Sequence, residues 1–259
     1  MRVSRTHGAR FTFVVMAASS MLAISGCATS PSVAGSTDGS PEPVSSPTTA
    51  AGGAVSGVGP TGFPGVEFPI PADARSVVVD FVCHGGGSFS VELGDSMMLG
   101  QAMLGGVCDG GAELSWPVTE RTGPTLSVHV GDDVEWVATP AFSTEEFATD
   151  AATAADCERF IDIFSALANA DAGFSTYRAF DEAEWGARVD GAAVELDALA
   201  ASAASALRDS FVELSGAVSD PARSPGAVLV GPAADHIAAI SQVCDANQTP
   251  LHIRAEFGG

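Results

Sequence analysis

The sequence predicts an α+β fold: a small antiparallel β-sandwich over residues 63–142, followed by a three-helix antiparallel bundle over residues 143–259. The apolar period carries this reading. Apolar side chains recur at every second position from Phe63 to Phe142, the period of strands with one buried face, and at spacings of three and four from Ser143 onward, the period of helices. The cysteines divide in the same way, with Cys83 and Cys108 in the first region and Cys157 and Cys244 in the second.

The chain opens on a segment that is neither strand nor bundle. Arg2, Arg5 and Arg10 precede an apolar run of 14 residues, Phe11 to Ile24, which is too short to span a bilayer but suits the hydrophobic part of an export signal. It ends in Ile24-Ser25-Gly26-Cys27. These four residues resemble the lipobox of bacterial lipoproteins. The resemblance implies that residues 1–26 are removed as a signal peptide and that the Cys27 thiol carries a diacylglyceryl group. It covers only the first 27 residues and implies nothing about activity. The lysine-free, Ala-, Gly- and Asp-rich usage resembles that of high-GC actinobacterial proteins, which would place the chain on the outer face of the cytoplasmic membrane.

Residues 27–62 are expected to form a lipidated N-terminus and a disordered tether. Ser, Thr, Pro, Gly and Ala dominate there, and only Asp38 and Glu42 are charged, so too little apolar surface is available to drive folding. A flexible chain of this length spans roughly 30 to 35 Å.

In the strand region, Val77, Val79, Phe81 and Cys83 form one face, and Phe89, Val91 and Leu93 continue it. Leu114 and Trp116, then Leu126, Val128 and Val130, then Val134, Trp136 and Ala138 repeat the alternation. His84-Gly85-Gly86-Gly87, Asp109-Gly110-Gly111 and Gly131-Asp132-Asp133 read as the turns between these strands.

In the helical region, Ser143-Thr144-Glu145-Glu146 reads as a capping box, with Phe142 and Phe147 as its hydrophobic staple, opening a first helix that runs to about Asp171. Asp181 and Glu184 repeat the box. Behind them Val189, Ala192, Leu196, Leu199, Ala203, Leu207, Phe211, Leu214 and Val218 predict one long helix or two collinear ones, ending before Asp220-Pro221. Pro232 opens a third helix with Ile237, Ile240 and Cys244 on one face. Leu251, Ile253, Ala255 and Phe257 alternate with polar residues, as a return strand at the sheet edge would.

Once Cys27 is assigned to lipid, the other four cysteines form an even set in an exported chain, where disulfides persist. Three pairings exist. Cys83 with Cys108 and Cys157 with Cys244 are favoured because each pair stays within one region.

Charge restricts the partners. After Cys27, eight arginines face 32 acidic residues, a net charge of −24. Such a chain is repelled by nucleic acid and by anionic headgroups, so no nucleic-acid partner is expected and the acyl anchor must hold it at the membrane.

The chemical motifs have plainer readings. His84-Gly85-Gly86-Gly87 is similar to the oxyanion-hole motif of lipases, but no Gly-x-Ser-x-Gly accompanies it and a hairpin turn is the expectation. Asp109, Asp132 and Asp133 carry oxygen ligands suited to Ca²⁺ but lack a Ca²⁺-loop spacing and read as solvated turns. His129 and His236 are expected to face solvent, and no cofactor or metal is expected. Met97, Met98, Leu99 and Met103 are ordinarily core filling, with a ligand or partner surface as the alternative, because flexible thioethers suit adaptable recognition. The alanines around Ala200 to Ala206 admit close helix packing, first of all within the bundle.

The leading functional expectation is a non-catalytic, membrane-anchored envelope lipoprotein that binds another envelope protein or a wall component. The alternatives are a small envelope hydrolase or wall-modifying enzyme using carboxylates such as Asp80 or Glu92, and a transporter-associated binding protein.

Overall fold

The computed structural model describes residues 49–258. It contains seven strands, β1 Thr49–Ala51, β2 Val55–Val58, β3 Val66–Glu67, β4 Ser76–Leu93, β5 Leu104–Pro117, β6 Thr125–His129 and β7 Glu135–Ser143. Five α-helices accompany them: α1 Ser96–Leu99, α2 Ala151–Asp171, α3 Glu182–Ser202, α4 Arg208–Val218 and α5 Pro232–Ala246. The fold mixes α and β as expected. All strand pairs are antiparallel, and they join in one nearly barrel-shaped sheet.

The 18-residue β4 organises that sheet. One of its edges pairs with β5 along nearly its whole length, while the other pairs with β7 through Ser76–Cys83 and with β6 through Ser90–Leu93. The change of partner occurs at His84-Gly85-Gly86-Gly87. This run is therefore not the expected hairpin turn. It is an irregularity inside a continuous strand, where the register shifts and φ is +139°, +74° and +78° at Gly85, Gly86 and Gly87. Three successive residues at positive φ are tolerated because none carries a Cβ. Asp109-Gly110-Gly111 lies opposite as part of β5, not as a turn.

The alternating residues form the core beneath the sheet. Val77, Val79, Phe81, Cys83, Phe89, Val91, Leu93, Trp116, Leu126, Val128, Trp136 and Ala138 are all buried. The indole N–H of Trp116 donates to the Ala102 carbonyl at 2.9 Å and that of Trp136 to the Gly59 carbonyl at 3.0 Å, so the two largest side chains are buried without leaving a donor unmet.

Part of the segment expected as a tether is instead sheet edge. Residues 49–51 and 55–58 pair with β7, because a sheet edge supplies the backbone hydrogen bonds that small residues cannot earn by burial. Cys27 lies outside the described residues.

The first long helix also starts later than expected. Ser143 ends β7, and α2 begins at Ala151 with Asp150 as its cap, the Asp150 carboxylate accepting from Thr153 N at 2.7 Å. The second capping site stands as expected: Asp181 caps α3 by accepting from Glu184 N at 3.0 Å. The nine apolar positions from Val189 to Val218 are all buried, but the helix is divided at residues 203–207. The Asp156 carboxylate of α2 occupies the break, accepting from Ala204 N at 3.0 Å and Ser205 N at 2.9 Å. Proline opens α5, as expected.

The C-terminal tail is not a strand. Residues 251–257 lie against α2, where Asn169 donates to the Arg254 carbonyl and accepts from Glu256 N, both at 2.8 Å, and Ser165 Oγ accepts from Arg254 N at 3.0 Å. Helix side chains thus satisfy the backbone that a sheet edge was expected to meet. Phe257 ends the tail, its ring 5.5 Å from Tyr177 and 6.1 Å from Phe180.

Both favoured disulfides form. Cys83–Cys108 ties β4 to β5 beside the glycine run, and Cys157–Cys244 ties α2 to α5. Sheet and helices have separate hydrophobic cores within one compact unit. Gln248 bridges them: its Oε1 accepts from Ala102 N and its Nε2 donates to the Ser115 carbonyl, both at 2.9 Å.

Candidate functional site

The segment between β4 and β5 gives the junction its shape. Gly94 and Gly100, both in the left-handed region, bracket the single-turn α1. Asp95 caps it, accepting from Met98 N at 3.0 Å, and Glu92 Oε1 accepts from both Ser96 N and Ser96 Oγ at 2.8 Å. A helix pinned this way at its first turn carries its next side chains outward. Met97 is 87% exposed, Met98 67% and Met103 49%, while Leu99 is half-buried. The three methionines therefore do not fill the core, which corrects the ordinary reading of this cluster.

Behind this rim, two adjoining clefts separate the sheet from α5 and the tail. One, of about 450 Å³, lies between β5 and α5. The other, of about 280 Å³, lies between α1, α2, α5 and the tail, and the two share Met103, Ser241 and Asp245. Asp245 is half-buried at the shared wall, and its carboxylate makes no hydrogen bond or ion pair with the described residues. Burial pushes its pKa up to about 6 from an ordinary 3.8, against the opposing pull of His252. Gln101 lines the smaller cleft and is only 8% exposed. Its Nε2 donates to the Pro117 carbonyl at 3.0 Å, whereas its Oε1 has no donor.

This electrostatic arrangement has a measurable consequence. Because Asp245 holds its proton more tightly folded than unfolded, its neutral form favours folding below about pH 4, and that contribution is lost as pH rises through about 6. Asp245→Asn is therefore expected to raise stability by about 1 to 2 kcal/mol at pH 7, after allowance for the open side of the cleft, and by nearly nothing at pH 4. Urea unfolding of both chains at the two pH values checks this. Equal differences at both would show that the carboxylate's burial is not felt.

The other candidates do not assemble into a second site. Asp80 is exposed opposite Glu113 and Thr139, whereas Glu92 stands at the other end of β4 and holds α1. Those two carboxylates are not brought together. His129 is exposed at the end of β6, and His236 Nδ1 lies 3.4 Å from Glu213 on α4. Among the described residues, no three His, Cys, Asp or Glu side chains group as a metal site, and no helix is long and apolar enough to cross a membrane. Ala200 and Ala203 pack within the helical core, while Ala201, Ala204 and Ala206 are exposed.

Sequence reasoning missed Asp245, Gln101 and the tail as parts of one place. The signal for Asp245 was its position after Cys244, a core residue of α5; the only signal for Gln101 was its place among the methionines. Comparison of the chain with family models, curated proteins and solved structures finds no match.

Proposed function

We propose that this chain is a lipid-anchored binding module of the bacterial cell envelope, held at the outer face of the cytoplasmic membrane through a diacylglyceryl group on Cys27. The parts expected as a β-sandwich and a helical bundle are the parts displayed. The observation that supports recognition is the exposed Met97–Met98–Met103 rim beside a cleft whose carboxylate makes no hydrogen bond or ion pair among the described residues. Exposed thioethers are poorly hydrated and adapt to a ligand's shape, so they suit binding better than they suit solvent. Two disulfides agree with an oxidising compartment. The leader and its lipobox-like end support the anchor. A charge of −24 leaves the acyl chains to hold the protein at the membrane.

Mass spectrometry of the chain taken from its host's membranes tests the anchor. The expected N-terminal peptide begins at an acylated Cys27, and Cys27→Ala is expected to remove both the added lipid mass and the membrane association. An unmodified Cys27 in the membrane-derived protein would overturn the proposal. A photo-reactive residue at position 98 tests recognition, with one at the exposed position 194 of α3 as control. Cross-links expected at 98 and absent at 194 support the rim as the binding face, and equal labelling would count against it.

A further inference from the structure

The cleft beside the methionine rim lacks one kind of group. Its lining carries the carboxylates of Asp245 and Glu113 and the imidazole of His252, but no arginine, and the chain contains no lysine. Among the described residues, Asp245 is without a hydrogen bond or ion pair, and the 8% exposed Gln101 has an oxygen without a donor. A half-buried carboxylate and a buried carbonyl oxygen are both stabilised by an N–H group, the carboxylate most by a charged one. Around them Met97, Met103, Phe164 and Leu251 form an apolar wall. With about 450 Å³ in one chamber and about 280 Å³ in the next, the space is that of a small-molecule site.

Building on the reading of this face as a recognition surface, we infer that the cleft binds a small organic cation: a protonated primary amine on an aliphatic or aromatic body. The ammonium group lies at Asp245, and the body lies against the thioethers and Phe164. Each feature excludes a different competitor. A carboxylate or phosphate would meet Asp245 and Glu113 with like charge. A neutral alcohol of the same length would fill the apolar wall but leave the carboxylate without its counter-charge.

The pH response has a definite sign. Asp245 must be ionised to hold the ammonium group, so affinity is expected to fall as pH drops below about 6, approaching tenfold per unit. His252 on the tail faces the same carboxylate. Glu113 on β5 adds negative charge to the lining, while Ser241 and Gln242 of α5 and Ser96 of α1 are uncharged.

The test is a titration of the full chain in zwitterionic micelles with hexylamine, phenethylamine and 1-hexanol, read from the methyl NMR signals of Met97 and Met103. The Asp245→Asn chain, in the same micelles, removes partitioning from the comparison. Both amines are expected to shift the two methyl signals saturably, with Asp245→Asn and 1-hexanol each weakening binding by about tenfold or more. Ser241→Trp, which fills the shared wall, is expected to abolish the shifts while leaving the far-ultraviolet spectrum and both disulfides intact. If 1-hexanol binds as well as hexylamine and Asp245→Asn changes nothing, the cation assignment falls and the apolar recognition surface stands. If no probe moves either methyl signal, both the cation assignment and this cleft as a recognition site fall.

Discussion

Replacing Cys157 and Cys244 together with alanine is expected to lower the unfolding free energy by about 4 to 5 kcal/mol. The bond closes a span of 87 residues that includes all of α3 and α4. In the chain-entropy account, a loop of that size removes about 4.6 kcal/mol of freedom from the unfolded chain. The 25-residue span closed by Cys83–Cys108 removes about 3.5 kcal/mol. Packing adds to both figures alike, since all four side chains are at most 1% exposed and alanine leaves their volume unfilled, so the order rests on loop length. Urea unfolding of the two double variants side by side checks both the size and the order. The denaturant slope is also expected to rise, more for the 157/244 variant, because an unlinked chain exposes more surface. A loss under 1 kcal/mol would mean that the unfolded chain keeps its helical part compact without the link. The same burial makes both sulfurs inaccessible in the folded state, so reductant is expected to open the bond only as fast as the helices separate.

The sequence was most readable where a single face is buried. In the strands, Val77, Val79, Phe81 and Cys83 alternate because the outer face meets solvent, and each lies in the core as the period requires. The same holds for the nine positions from Val189 to Val218, whose spacing records one helical face. Periodicity does not record where a backbone is interrupted or which partner satisfies it. Nothing in Ala203-Ala204-Ser205 announces a break, because its stabilising group, Asp156, sits 48 residues earlier on another helix. The glycine run after His84 carries a strong turn signal, but its freedom of φ serves a bend within β4 instead. Likewise the tail alternates like a strand, yet Asn169 and Ser165 meet its backbone. The candidate cleft was hidden for a related reason. Its parts come from the β4–β5 connection, β5, α2, α5 and the tail, and only the packing of helices against sheet brings Gln101 and Asp245 to one place. The methionine cluster was visible as composition, but whether thioethers face core or solvent was decided by the Glu92 and Asp95 contacts that fix α1.

Asp156→Ala is expected to cost about 3 kcal/mol and to lower the melting temperature by about 6 to 12 °C. Asp156 is 3% exposed, with Oδ2 engaged by two backbone N–H groups and Oδ1 3.9 Å from Arg159 Nη1. Its placement resembles that of a helix cap, except that the carboxylate arrives from a neighbouring helix, so it both satisfies the break between α3 and α4 and fixes α2 against it. Alanine removes the acceptor and leaves two donors unmet where water has little access. Asp156→Asn separates the two roles: the amide oxygen can still accept from both N–H groups while the charge is gone, and a loss of about 1 kcal/mol is expected. Hydrogen exchange at Ala204 and Ser205 gives the local readout. Protection there is expected to collapse in the alanine chain before it changes at Val189 or Phe211, because those residues are held by apolar packing that the substitution leaves alone. If the alanine chain unfolds within 0.5 kcal/mol of the parent, the corner is held by Ala203, Leu207 and Phe211 without the carboxylate. The interruption of the long helix would then follow from packing and not from the capping of its backbone.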